Sequence, residues 1–384
     1  MPEYEIRRAY RRRRRFWPRT MQMRRVASAL VLVLIVGFGT TAWSVMGAVT
    51  APGNDPISAR LAEWGREHYL GFVVTQLETL QYRLNPPRTG GAPDTAMFGA
   101  SATSAVDRRI GLQAPLATVV TPALKGEGSF KVLQRVKGNA VIQVAYLRPD
   151  AVHTSYLTAV VWMSGRHTRL VLHPGTTDPG HLSRWKEQPN LPTSASSGVL
   201  AAFNSGFKLV DSKGGFWSRG RGSYPLLPGA ASLVVYKDGH ADIGTWGTDV
   251  AMTPQVVSVR QNLKLLIDHG RVSPSIDTAL KTNWGATLGG TFYVWRSGIG
   301  ITKSGDLVYV IGDTLSAHSL AQILLKAGAV RAMQLDINKL WPSYYWYTPD
   351  AKGSLTSHKV LDFARPSDRY FTPNSRDFYA VYAR

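Results

Sequence analysis

Between Arg25 and Asp55 the chain carries no charged residue, and from Val26 to Val49 it is apolar almost throughout. As a helix, about 24 residues rise roughly 36 Å, enough to cross a bilayer with some tilt. A core helix of that length would show a polar face, and this run has none. A cleaved signal peptide would carry a shorter apolar region ending in an A-x-A-like site. Here Val49-Thr50-Ala51 is followed by Pro52, which disfavours cleavage. The expectation is an uncleaved signal-anchor: residues 1–25 as a basic arm, 26–50 as a transmembrane helix.

The arm holds ten arginines (Arg7, Arg8, Arg11 to Arg15, Arg19, Arg24 and Arg25) against Glu3 and Glu5, which is +8 of a total net charge of +20. Basic residues flanking a span favour the cytoplasmic side. The predicted topology is therefore single-pass with the C-terminal domain extracytoplasmic, and an outside domain without cysteine suggests that the membrane is a bacterial plasma membrane. Beside a membrane, anionic headgroups are the natural partner of such an arm, so residues 1–50 are assigned to lipid contact. Nucleic acid, which the total charge first suggests, is not an expected partner.

No cysteine is present, which excludes disulfides, thiolate metal sites and a cysteine nucleophile. The nine histidines are scattered, with no H-x-H or H-E-x-x-H, so no metal site or cofactor is expected. A calcium ion on aspartates and backbone carbonyls stays open. No G-x-S-x-G elbow, P-loop or dinucleotide fingerprint occurs in a fitting context.

Residues 57–84 show helical spacing and predict a stalk; Asn85 to Pro93, rich in proline and glycine, reads as a linker, giving a 51–93 stalk region and a domain over 94–384. From Phe130 onward, short apolar runs alternate with Gly, Pro, Asp and Asn, with 44% hydrophobic residues overall to build a core. The fold class expected is α+β: a strand-rich domain with a mixed sheet and few helices, preceded by one transmembrane helix and a helical stalk. Thr291–Thr302 and Leu307–Ile311 predict a hairpin across Lys303-Ser304-Gly305-Asp306. Ser319 to Gln322 has capping-box form, and a helix over 320–327 followed by a strand over 329–335 predicts a crossover joining parallel strands.

Strands of such a unit end on one sheet edge, where ligands bind. Asp313 and Asp336 each follow a strand, and Thr302 paired with Leu307 would set Arg296 opposite Asp313. Val199–Phe203 ends at Asn204-Ser205-Gly206-Phe207, where a tight path would leave the Asn amide exposed. Trp341-Pro342-Ser343-Tyr344-Tyr345-Trp346-Tyr347 is read either as a sugar-stacking platform or as core packing.

Over roughly 195–350 the chain resembles the phosphodiester glycosidase family. The resemblance rests on Phe203-Asn204-Ser205-Gly206-Phe207, Gly214-Gly215-Phe216, Val259-Arg260-Gln261-Asn262, Trp295-Arg296-Ser297-Gly298-Ile299-Gly300 and Leu335-Asp336. It implies a hydrolase, a membrane-anchored bacterial member, acting on a sugar joined through C1 to a phosphodiester. Asp336, Asp313 and Arg296 would be its catalytic groups, with the two carboxylates for proton transfer or attack and the guanidinium on phosphate. Asn204, Gly206, Arg260, Asn262, Asn338 and Trp341 would bind substrate. Where the family reads L-D-G-G-G-S, this chain has Ile337-Asn338-Lys339-Leu340 after Asp336, an altered pocket that points to a different substrate or lost activity. The alternative is a non-catalytic binding protein for anionic envelope glycopolymers.

Overall fold

The computed structural model describes residues 3–51, 53–98, 111–278, 281–285 and 293–384. The chain forms two compact units, Met1–Ala51 with Ile57–Gly71, and Pro52–Pro56 with Phe72–Arg384.

In the first unit the arginine-rich segment and the apolar run form one continuous helix, α1 (Glu3–Val49). Its segment Met21–Val49 is long and apolar enough to cross a membrane by length and composition. The apolar side chains there face outward, Phe38 at 78% and Trp43 at 84% exposure. A second helix, α2 (Ile57–Glu67), returns along α1, and the Trp64 indole donates to Ser44 Oγ at 2.9 Å. The helical pattern of 57–84 is realised as two helices, α2 and α3 (Gly71–Leu84), because Tyr69 breaks it at φ 63°. A tyrosine in the left-handed region cannot continue a right-handed helix.

The second unit holds the strands. In chain order these are β1 (Lys131–Val136), β2 (Asn139–Leu147), β3 (Thr158–Met163), β4 (Thr168–His173), β5 (Val199–Asn204) and β6 (Phe216–Ser218). Then follow β7 (Arg221–Ser223), β8 (Ala231–Tyr236), β9 (Ala241–Thr245), β10 (Val256–Asn262), β11 (Leu265–Asp268) and β12 (Arg271–Val272). The last six are β13 (Val294–Thr302), β14 (Leu307–Leu315), β15 (Ala329–Ile337), β16 (Tyr344–Pro349), β17 (Leu355–Lys359) and β18 (Phe378–Ala383). They build an eight-stranded sheet, β1-β2-β3-β14-β13-β15-β11-β12, and two five-stranded sheets, β7-β6-β10-β8-β9 and β17-β16-β5-β18-β4. The largest core cluster takes residues from all three sheets, among them Tyr309, Leu335, Leu233, Ile243, Phe203 and Phe378. The aromatic run after Pro342 is core: Tyr344, Tyr345 and Tyr347 are buried, and Phe203 lies 5.8 Å from Tyr344 between ring centroids.

The predicted crossover is present. β14 leads through the helix Ala317–Lys326 into β15, and both strands run in the same direction. They do not pair with each other, because β13 lies between them antiparallel to both. The crossover helix begins one turn earlier than the S-x-x-Q pattern implies. Ser316 caps it and forms the capping box with Ser319, so the two serines satisfy its first free N–H groups. Gly298 lets the helix lie close: a Cβ there would stand 3.2 Å from both Leu320 and Leu324.

The hairpin register departs by one residue from expectation. Ile301 pairs Leu307, and Arg296 pairs Gly312, with an irregularity between Val294 and Arg296. Since side chains alternate across a strand, the shift sends Arg296 and Asp313 to opposite faces. On one face Ile299 and Ile301 enter the three-sheet core; on the other Gly298 meets the crossover helix. Arg296 lies on the helix side. Asp313 shares its side with Trp295, to which it is hydrogen-bonded through the side chain.

The Asn85–Pro93 segment, a spacer by composition, is bonded to the sheet unit. Gly90 N–H donates to Val152 O at 2.7 Å, Thr154 Oγ1 to Gly91 O at 2.8 Å, and Arg88 N–H to the Tyr156 hydroxyl at 3.1 Å.

Candidate active site

Strands β5, β13 and β15 come together where Asn204, Ser297 and Asp336 meet. β5 runs inside its sheet between β16 and β18, so its end is covered and Asn204 is buried, not exposed as the tight turn implied. Its amide nitrogen donates to Ser297 Oγ at 2.9 Å and Ser205 O at 2.8 Å. Its amide oxygen accepts from the Tyr309 hydroxyl at 2.6 Å and from Ser343 N–H at 3.0 Å. Asn204 therefore clamps the sheets together. Asn262 does the same for β15, donating to Gln334 O at 2.7 Å and Leu335 O at 2.8 Å. Gly206 is needed for closeness, since a Cβ there would lie 3.1 Å from Asn262 Cγ.

Asp336 is 5% exposed, in a network of buried charge. One carboxylate oxygen accepts from Ile337 N–H at 2.7 Å and the other from Arg376 at 3.2 Å. Arg376 also donates to Gly206 O at 3.1 Å and lies 3.6 Å from Asp178. Arg260, 1% exposed, pairs with Asp377 at 2.7 Å. Arg376 thus serves both Asp178 and Asp336, while Arg260 serves Asp377. Burial pushes the Asp336 carboxyl up to about 7, against the pull of Arg376, the Ile337 N–H and Arg369 and with a further push from Asp211. Asp178 is also raised, first by burial, with Arg376 opposing and Asp377 adding to the rise.

The remaining predicted residues fall around this centre. Trp341 is buried beneath three guanidiniums, with Arg376 at 4.9 Å, Arg365 at 5.1 Å and Arg369 at 5.7 Å from its ring. Arg296 donates to Leu315 O at 2.8 Å and to Gln334 Oε1 at 2.8 Å, tying the start of β13 to its neighbours. Asn338 has φ 89°, the left-handed region that asparagine enters more readily than most residues. One asparagine thus supplies the turn that the missing glycine run would permit. Its N–H donates to Trp295 O at 3.0 Å, closing the end of β15 onto β13.

Asp313 lines a cavity of about 170 Å³ with Tyr156, Tyr293, Trp295, Thr314 and Lys339, and Asp336, Arg296 and Asn204 are not among the described residues that line it. Asn85 and Pro87 complete its wall. Burial raises the Asp313 carboxyl, opposed by hydrogen bonds from Thr314 and Trp295 and by the charge of Lys339. Thr314, at φ 60°, is strained for a β-branched residue. That strain and the Asn338 turn fall on the same strand ends, a pattern common at functional sites.

Arg376, Asp178 and Asp377 carried no motif signal, since they are brought to Asp336 by other sheets. Their signal was an isolated one: Arg376-Asp377 directly precedes β18. Among the described residues one grouping of metal-ligand type occurs, Asp249, Asp268 and His269, their ligand atoms within 4.8 Å of one another. It lies on the β9–β10 and β11–β12 turns, and Arg331 stands 4.0 Å from Asp249.

A strand-built domain with a buried carboxyl and a guanidinium gathered at adjoining strand ends is the setting in which the family comparison falls. Residues 197–336 match the model of the phosphodiester glycosidase family. No curated protein matches the chain. Among solved structures, it is similar to the catalytic domain of zebrafish N-acetylglucosamine-1-phosphodiester alpha-N-acetylglucosaminidase, auto-inhibited by its pro-peptide, at 14% identity and a TM-score of 0.41, covering 78% of this chain and 96% of that one. A hypothetical protein from Synechocystis is similar at 14% identity and a TM-score of 0.33, covering 71% and 68%. An exported protein from Burkholderia pseudomallei is similar at 11% identity and a TM-score of 0.30, covering 59% and 74%.

Proposed function

We propose that the chain is a membrane-anchored hydrolase that cleaves the bond between sugar C1 and a phosphodiester oxygen in a cell-envelope glycan. One observation carries the reading: Asp336, inside the family segment, is buried and bonded to Arg376, and that burial pushes its carboxyl up to about 7. A phosphodiester is already a stable leaving group, so a proton donor and an adjacent cation suffice to stabilise the charge it gains. Glycoside hydrolysis ordinarily uses two carboxyl groups. Asp336 is the proton donor in this reading, and Asp313 is the second, acting from the cavity side. Arg376 takes the phosphate role that the motif assigns to Arg296, and Arg296 becomes a positioning residue for β13. Asn204, Asn262 and Gly206 hold the strand ends on which the site is built, and Arg260 holds Asp377. Asn338 turns the chain after Asp336, and Trp341 packs against the guanidinium of Arg376.

The anchor belongs to the same reading. α1 spans the membrane with residues 1–25 on the cytoplasmic side, their arginines against anionic lipid, and the sheet unit works outside.

The test is turnover of a synthetic glycosyl 1-(methyl phosphate) by the full chain. Asp336→Asn is expected to lower kcat by about 10²–10⁴-fold, the usual share of general acid catalysis, with an unchanged circular dichroism spectrum. Full activity in a folded Asp336→Asn chain rejects the assignment. Saturable binding of the intact diester with no sugar release by the unsubstituted chain would instead favour the glycopolymer-binding alternative.

A further inference from the structure

The cavity beside Asp313 is lined by two ionic groups of opposite sign, Asp313 and Lys339. Asp313 is partly buried, fixed by the Trp295 side chain and by the Thr314 N–H, which donates to it at 2.7 Å. Lys339 is exposed, and among the described residues it reaches no hydrogen-bond or salt-bridge partner, although its charge acts on Asp313. The rings of Tyr156, Tyr293 and Trp295 line the same cavity. These rings are held from behind. The Tyr156 hydroxyl accepts from Arg88 N–H, and the Tyr293 ring packs 4.4 Å from that of His153. A concave site with fixed aromatic walls and a few placed polar groups is a small-molecule pocket.

The charges narrow its ligand. A purely apolar ligand would strip water from both ionic groups and return no partner to either. A neutral sugar would present its C–H faces to the rings and hydroxyls to Asp313 and Lys339, but no charge to pair with the exposed ammonium. We propose that the cavity takes a pyranose bearing an acidic substituent, carboxylate or phosphate, and that Lys339 is the residue that selects it. The choice of a sugar rests on the hydrolase reading above; the acidic substituent rests on Lys339. Lys339 directly follows the Asn338 turn, at a position where a glycine would leave the cavity without this ammonium. The selectivity is therefore a property of this chain's departure from the glycine run after Asp336.

The experiment is a saturation-transfer NMR titration of the full chain, in a detergent without a sugar headgroup and at low salt. Three probes are compared: methyl glucoside, methyl glucuronide and glucose 6-phosphate. At least one acidic sugar is expected to bind about fivefold tighter than the glucoside, the scale of one partly exposed charge pair. The two acidic probes distinguish a uronate from a phosphate. The preference should vanish in Lys339→Met, a surface change that leaves the core intact, and return in Lys339→Arg. Equal binding of all three sugars, binding of none, or a preference that survives Lys339→Met overturns the inference. A Lys339-dependent preference in a chain that hydrolyses nothing would keep this subsite and remove the hydrolase reading. Hydrolysis without the preference would do the reverse.

Discussion

Asp336 shows how much a single side chain depends on its surroundings. Its strand-end position was visible in the sequence as Leu335-Asp336, but its acidity was not. That property comes from burial, opposed by a guanidinium forty residues further on that is shared with Asp178. The consequence for stability has a definite sign. In the unfolded chain an aspartate loses its proton near pH 3.9, whereas folded Asp336 keeps it up to about 7. Between those values the native state binds the extra proton, so stability falls as pH rises through the window. Asp336→Asn removes that contribution, and urea midpoints measured from pH 4 to 7 should show a flatter decline than in the unsubstituted chain. An unchanged slope would mean that Asp336 titrates normally. Asn204 is the opposite case: its motif was legible, yet its amide is occupied by strand-to-strand bonds that only the packed sheets create.

At the scale of elements, the crossover was readable because its parts are local: a β strand, a capped helix, Gly328 and a second strand. The intervening β13 was not placed by that reading, since partner choice in a sheet is settled by long-range pairing. Register failed for a related reason. The pairing is already displaced by one residue at the turn, where Ile301 meets Leu307, and this displacement puts Arg296 and Asp313 on opposite faces. The glycines of β13 have a packing role that their motif does not state. A Cβ at position 300 would stand 2.6 Å from Ala329 Cβ, against the start of β15. Gly300→Val should therefore cost about 1–3 kcal/mol through overpacking and lower the thermal midpoint by several degrees, about 2–4 °C per kcal/mol for a unit of this size. A melting curve that superimposes on that of the parent chain would show that the contact relaxes freely.

At the scale of the whole molecule, the chain joins a long apolar helix to a three-sheet domain, and the two parts follow different rules. The helix is governed by composition: no polar face, arginines at one end and exposed Phe38 and Trp43. If α1 is an anchor, the full chain should sediment with membranes, resist extraction by high salt and alkaline carbonate, and enter solution only with detergent. Release by salt alone would reduce the arm to an electrostatic contact. The sequence by itself determined the apolar helix, the strand-rich class, the crossover and the family segment, because length, periodicity and local capping act over a few neighbouring residues. The tertiary structure alone decided that the proline-glycine segment walls a cavity, that Arg376 and not Arg296 faces Asp336, and that Asn338 replaces a glycine run. Those outcomes depend on burial and on pairing between residues far apart in the chain, where the free energy of a charge or a turn is set by what surrounds it.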